Sequence, residues 1–110
     1  MVKEILEKLD QKEIVFNDVI AYIESKYNHT PTAFTNGTQV NEMDQNQGSA
    51  KVLGFGKIEG LSVEDTLKLF AEHYQSVLDT PEGNDHQNIR QFMLNGWEGV
   101  KFDGDALSIK

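Results

Sequence analysis

The sequence predicts a mainly α-helical fold: a compact single-domain irregular helical bundle of about five helices, with a long ordered polar loop. Three observations predict it. Apolar residues recur at three- and four-residue steps over most of the chain, the period of an amphipathic helix. The periodic runs are too short for a regular four-helix bundle. One stretch, residues 36–51, breaks the period with Asn36, Gln39, Asn41, Gln45, Asn46 and Gln47, punctuated by Gly37 and Gly48. Loops of that length inside a small domain are functional or disordered.

The elements follow in order. Val2, Ile5, Leu6 and Leu9 lie on one helical face, so a short helix covers 2–9 and stops at Asp10-Gln11. A second helix runs from about Asn17 to Tyr27, buries Val19, Ile20 and Ile23, and takes Asn17 as its N-cap with Phe16 as a staple. Pro31 ends it and pushes Thr30 into extended geometry. After the polar loop, Ser49 is the expected cap of a short helix that buries Val52, Leu53, Phe55 and Ile58. Gly54 and Gly56 weaken that helix by about 1 kcal/mol each relative to alanine, unless they allow another backbone to pack closely.

The strongest helical pattern is 62–78. Ser62 caps it, Asp65 stands at the capping-box position, and Val63, Leu67, Phe70, Tyr74, Val77 and Leu78 form one stripe. Pro81 and Gly83 stop it. Asp85 is the expected cap of a last helix that buries Ile89, Phe92, Met93 and Trp97 and ends at Asn95-Gly96. The tail either frays or forms a short strand around Leu107 to Ile109. One domain, 1–110, is expected, with no repeat and no linker.

Composition excludes several functions. The net charge of −8 and the single arginine, Arg90, oppose nucleic-acid binding. With no cysteine, there is no disulfide, no thiolate nucleophile and no thiolate metal site. His29, His73 and His86 are too scattered for a ligand motif, so neither a metal nor a cofactor is expected. No run approaches the ~20 apolar residues of a membrane span. The N-terminus does not read as a cleavable signal peptide. A soluble monomer is expected.

The segments TPTAFTNG at 30–37, NxxxxNxGSxKV at 41–52, LSxxxTLxLF at 61–70 and PEGNDHQNIRQFMLNGW at 81–97 resemble the HopJ type III effector family over nearly the whole chain. The resemblance implies bacterial origin, and the absence of cysteine fits a cytoplasmic protein. Through the plant-pathogen members that gave the family its label, the resemblance also implies release by a type III system without a cleavable signal peptide and a host protein as partner. It brings no established catalytic activity. The family often has cysteine at position 50 and glycine at 44; Ala50 and Asp44 stand here. A thiol-dependent activity is thereby excluded, and position 50 is expected to be a small buried site.

Two segments carry candidate chemistry. Asp85, His86, Asn88 and Arg90 stand at a helix start, where free amides and positive potential suit an anion. His86 and Arg90, four apart, share a face and could clamp a phosphate or carboxylate, and His86 could serve as a general base. The bland alternative has Asp85 as a cap and Arg90 binding loop carbonyls. Asn36, Asn41, Asn46, Ser49 and Lys51 are the other half: their amides, hydroxyl and ammonium could read a small polar or anionic ligand, or the amides could satisfy the loop's own backbone. A Ser49–His86–Asp85 triad is disfavoured, since no nucleophile elbow surrounds Ser49. Two functions follow: an effector-like interaction module, or a small enzyme or metabolite binder whose site joins 36–51 to 85–90.

Overall fold

The computed structural model describes residues 2–110. The helices in chain order are α1 (Val2–Asp10), α2 (Phe16–Lys26), α3 (Gln47–Glu59), α4 (Val63–Lys68), α5 (Glu72–Asp79) and α6 (Gln87–Asn95). A 3₁₀ turn, Gly96–Gly99, follows α6. Five three-residue strands lie among them: β1 (Tyr27–His29), β2 (Phe34–Asn36), β3 (Gln39–Asn41), β4 (Val100–Phe102) and β5 (Leu107–Ile109). They make two antiparallel sheets, β1-β5 and β3-β2-β4. The helical majority agrees with the sequence reading, but the fold is mixed α/β and not a mainly α bundle.

The strands correct the reading of the polar stretch. Its first part is a hairpin in which Phe34 pairs with Asn41 and Asn36 with Gln39, and Gly37 at φ 59° forms the turn. Phe34 also faces Phe102 across β4, their rings stacked at 5.1 Å. The stretch ends inside α3, which starts two residues before Ser49, so Ser49 is a first-turn residue and not the cap. The tail forms the strand: His29 pairs with Leu107 and Tyr27 with Ile109.

The core is apolar and continuous from α2 through α6, centred on Ile23, Phe34, Leu53, Phe55, Phe70 and Phe92. Ala50 is fully buried, as its small size suggested. The two α3 glycines differ. A Cβ on Gly54 would make ordinary contact with Leu107 at 3.6 Å, whereas one on Gly56 would sit 2.7 Å from Thr66 Oγ1. Gly56 is thus the close-packing glycine, and it brings α3 onto α4.

Two boundaries and one core assignment differ from the pattern. α2 begins at Phe16, and its N-cap is Val15, whose amide donates to Asp18 Oδ2 at 2.9 Å; Asn17 is inside the helix. The run 62–78 is two helices. Ser62 caps the first, accepting from the Asp65 amide at 3.1 Å. The break comes at Ala71, at φ 53° and ψ −124°. Leu67, Leu69 and Phe70 are all buried, and one straight helical face cannot hold all three. Finally, Met93 is 41% exposed and so stands outside the core, while Trp97 packs edge-on against Phe92 at 4.9 Å.

Candidate functional site

Three buried asparagines fasten the hairpin to α6. Asn36 Nδ2 donates to the Asn88 carbonyl at 2.7 Å and to Asn88 Oδ1 at 3.2 Å. Asn41 Nδ2 donates to Asn88 Oδ1 at 3.1 Å, and Asn88 Nδ2 returns a bond to Asn41 Oδ1 at 3.0 Å. Asn46 Nδ2 extends the chain, donating to Asn41 Oδ1 at 2.7 Å. Amides suit this task because each both donates and accepts. Asn36 Oδ1 is buried without a partner. Asn41 also donates to the Phe34 and Gln39 carbonyls of its own hairpin, the self-satisfying alternative, whereas Asn36 bonds to α6 and not to the loop's own backbone.

The remaining candidates divide. Lys51 points to α2 and binds Glu24 at 2.7 Å; that hydrogen bond and charge hold the Glu24 carboxyl below its ordinary value. Arg90 turns back on the preceding segment. It donates to the Asp85 carbonyl at 2.6 Å, the Thr80 carbonyl at 2.9 Å and the Asp85 carboxylate at 2.6 Å. The Arg90 hydrogen bond, with its charge, lowers the Asp85 carboxyl. Asp85 is therefore not the cap of α6. His86 is the cap residue, in the left-handed region at φ 50° and ψ 48°. Arg90 thus binds loop carbonyls, as the bland alternative had it, while Asp85 pairs with Arg90 where that alternative made it the cap, and so the Asp85 carboxylate is not aimed at His86 as a triad requires.

His86, Asn88, Asn46 and Ser49 do come together. With Gln39, Gly48, Gln87, Ile89, Phe16, Phe70 and His73 they line one cleft of about 340 Å³. His73 is the residue that sequence reasoning missed. Its ring centroid lies 5.2 Å from that of His86, tilted by 40°, and 4.8 Å from Phe16, edge to face. The two histidines looked scattered because they are thirteen positions apart; the 80–86 segment folds α6 back beside α5. Nothing in the helical period of His73 signals this.

Electrostatics give the cleft its character. The first turns of α3 and α6 both line it. Neither helix has a side-chain cap: the cap residues Asn46 (φ 52°) and His86 are left-handed and make no cap hydrogen bond. Uncapped first-turn amides carry the positive end of the helix dipole, worth up to about 2 kcal/mol toward a partly buried anion. No Asp or Glu is among the lining residues. The arrangement can hold an anion, and its imidazoles can carry a proton to or from it. Among the described residues no group of three or more His, Asp or Glu side chains could hold a metal ion, and no described helix is long and apolar enough to cross a membrane.

A mixed α/β domain with a polar, carboxylate-free cleft between two helix starts is the class that fold and site define. The chain belongs to the HopJ type III effector protein family, whose profile matches residues 2–107. It is similar to the crystal structure of VPA0580, a protein of unknown function, at 43% identity and a TM-score of 0.90, over 100% of this chain and 94% of that one. Comparison with curated proteins gives no match.

Proposed function

We propose that this HopJ-family protein is a small-molecule-binding protein whose ligand presents an anionic group to the cleft between α3 and α6. One observation carries the reading. The chain has 18 acidic residues and a net charge of −8, yet none of those carboxylates lines the cleft. Two helix starts without side-chain caps, those of α3 and α6, face that carboxylate-free lining. The anion would meet the Gly48-Ser49 and Gln87-Asn88 first turns, with His73 and His86 beside it. Phe16 and Phe70 would cover the apolar part of the ligand.

The experiment is a thermal-shift and amide-resonance screen with phosphorylated, carboxylated and neutral metabolites. Ligand binding raises the midpoint. Anionic compounds should do so and shift the Gly48 and Ser49 resonances, and Ser49→Asp should abolish the effect. A panel in which only neutral or cationic compounds bind, or in which Ser49→Asp binds unchanged, overturns the reading.

A second reading, an effector delivered to a host cell and acting on a host protein, is supported by the family's description. Pull-down from host extract tests it. Retention of a defined partner, lost on substitution of Asn46, supports it; an empty eluate removes it.

A further inference from the structure

We infer that anion binding in the cleft is coupled to proton uptake by the His73–His86 pair. The inference rests on the proposed anion site and adds its regulation. His73 and His86 are the only titratable side chains among the cleft's lining residues. Their ring centroids are 5.2 Å apart, so two imidazolium charges would repel at close range. No charged side chain from α2, β3, α3 or α6 lines the cleft to offset that repulsion.

The carboxylates next in sequence border the cleft but do not line it. Glu72 Oε1 accepts from the Phe16 amide at 2.7 Å, and the Asp85 carboxylate is held by Arg90 at 2.6 Å. On α2, Asp18 accepts from the Val15 amide; on α3, Lys51 is paired with Glu24. Glu72 and Asp85 keep their charges outside the lining, so the free protein places no counter-charge within the cleft itself for a doubly protonated pair. A bound dianion supplies it. By linkage, whatever makes protonation easier binds more tightly when the pair is protonated. The cleft is then an acid-strengthened oxyanion site, favouring ligands that bring two negative charges over those that bring one.

Sulfate is the probe, because it stays doubly charged throughout the range in which imidazoles change charge. Calorimetric titration at about pH 6 and about pH 8, in buffers of different ionisation heat, reads affinity and proton uptake together. Sulfate should bind more tightly at the lower pH, by about tenfold per pH unit where one proton is taken up. Heats should depend on the buffer. His73→Gln and His86→Gln should each flatten the pH dependence, with folding checked by circular dichroism. His86→Asn, which tolerates the left-handed backbone, replaces His86→Gln if that variant unfolds.

Equal sulfate affinity at the two pH values, with Gly48 and Ser49 resonances shifted, overturns the coupling and leaves the anion site standing. Absence of sulfate binding at both pH values overturns the coupling and counts against the anion site itself.

Discussion

Asn41 and Asn88 exchange hydrogen bonds in both directions, 3.1 Å one way and 3.0 Å the other, from β3 to α6. Both residues are buried, and Asn36 and Asn46 hang on the same pair. The reciprocal Asn41–Asn88 pair is thus a closed two-amide ring, and two members of the network, Asn46 and Asn88, line the cleft.

Asn88→Leu should destabilise the protein by about 1–3 kcal/mol, because it removes the buried Oδ1 shared by the Asn36 and Asn41 amides and leaves them only backbone carbonyls. In a domain of this size each kcal/mol lowers the melting midpoint by about 4–8 °C. A thermal or urea midpoint within error of the parent protein would remove the ring's structural role.

The α3 glycines should respond with opposite sign. Gly54→Ala meets only ordinary contacts at 3.6 Å from Leu107 and should gain up to about 1 kcal/mol from helix propensity. Gly56→Ala drives a methyl group to 2.7 Å from Thr66 Oγ1 and 2.9 Å from Thr66 Cγ2, the methyl that serine lacks, and should lose about 1–3 kcal/mol through overpacking. Urea unfolding of both variants decides it, and Thr66→Ser should relieve part of the second loss.

His86 stands at φ 50°, a backbone state that costs a non-glycine residue about 1 kcal/mol. His86→Gly should therefore hold or raise stability while abolishing the pH dependence of sulfate binding. Calorimetry of unfolding and of binding on one sample checks both halves. A large loss of stability would mean that the imidazole serves packing and not ligand.

Tyr27 donates its hydroxyl to Glu59 Oε2 at 2.7 Å. That bond, then burial, pushes its pKa up to about 12. A group raised above its unfolded value of about 10 contributes stability that is complete below the unfolded value. The contribution is lost as pH rises through the folded value, so the window is about pH 10 to about 12. Tyr27→Phe should cost about 1 kcal/mol at neutral pH and remove this alkaline slope. Tyrosinate absorbance followed during alkaline titration is the measurement.

The Asp85 carboxyl, lowered by Arg90, has the opposite sign. Its contribution is present above the unfolded pKa and is lost as acid brings the pH down through the folded one. Asp85→Asn should flatten the acid limb of the stability curve. Arg90→Lys should loosen residues 80–86, read as faster amide exchange at Gly83.

Local features were legible in the sequence and distant pairings were not. The Ser62 cap needs only residues three apart, and the Leu107–Ile109 strand was visible as an alternative to a frayed tail. The polar stretch announced itself by composition, and it does line a cleft with the last helix start. Asn36 and Asn41 turned inward because β2 and β3 need side chains that answer α6. Arg90 and Lys51 were taken by nearer carboxyl and carbonyl groups. His73 stayed invisible because its partner depends on the path of 80–86 and the left-handed turn at His86. The break at Ala71 carries no glycine or proline to mark it.

The two small sheets also set an order of events. Each joins an early segment to a late one: β1 to β5 through Tyr27 and Ile109, and β2 to β4 through Phe34 and Phe102. Contacts this remote in sequence form slowly, because the chain between them must be closed first. During synthesis Phe34 has no ring to stack on until Phe102 has left the ribosome. Until then the hairpin's outer edge and the apolar face of α2 stay open, the state in which a nascent chain is most easily held by a chaperone. The sheets work as clasps, fastened last.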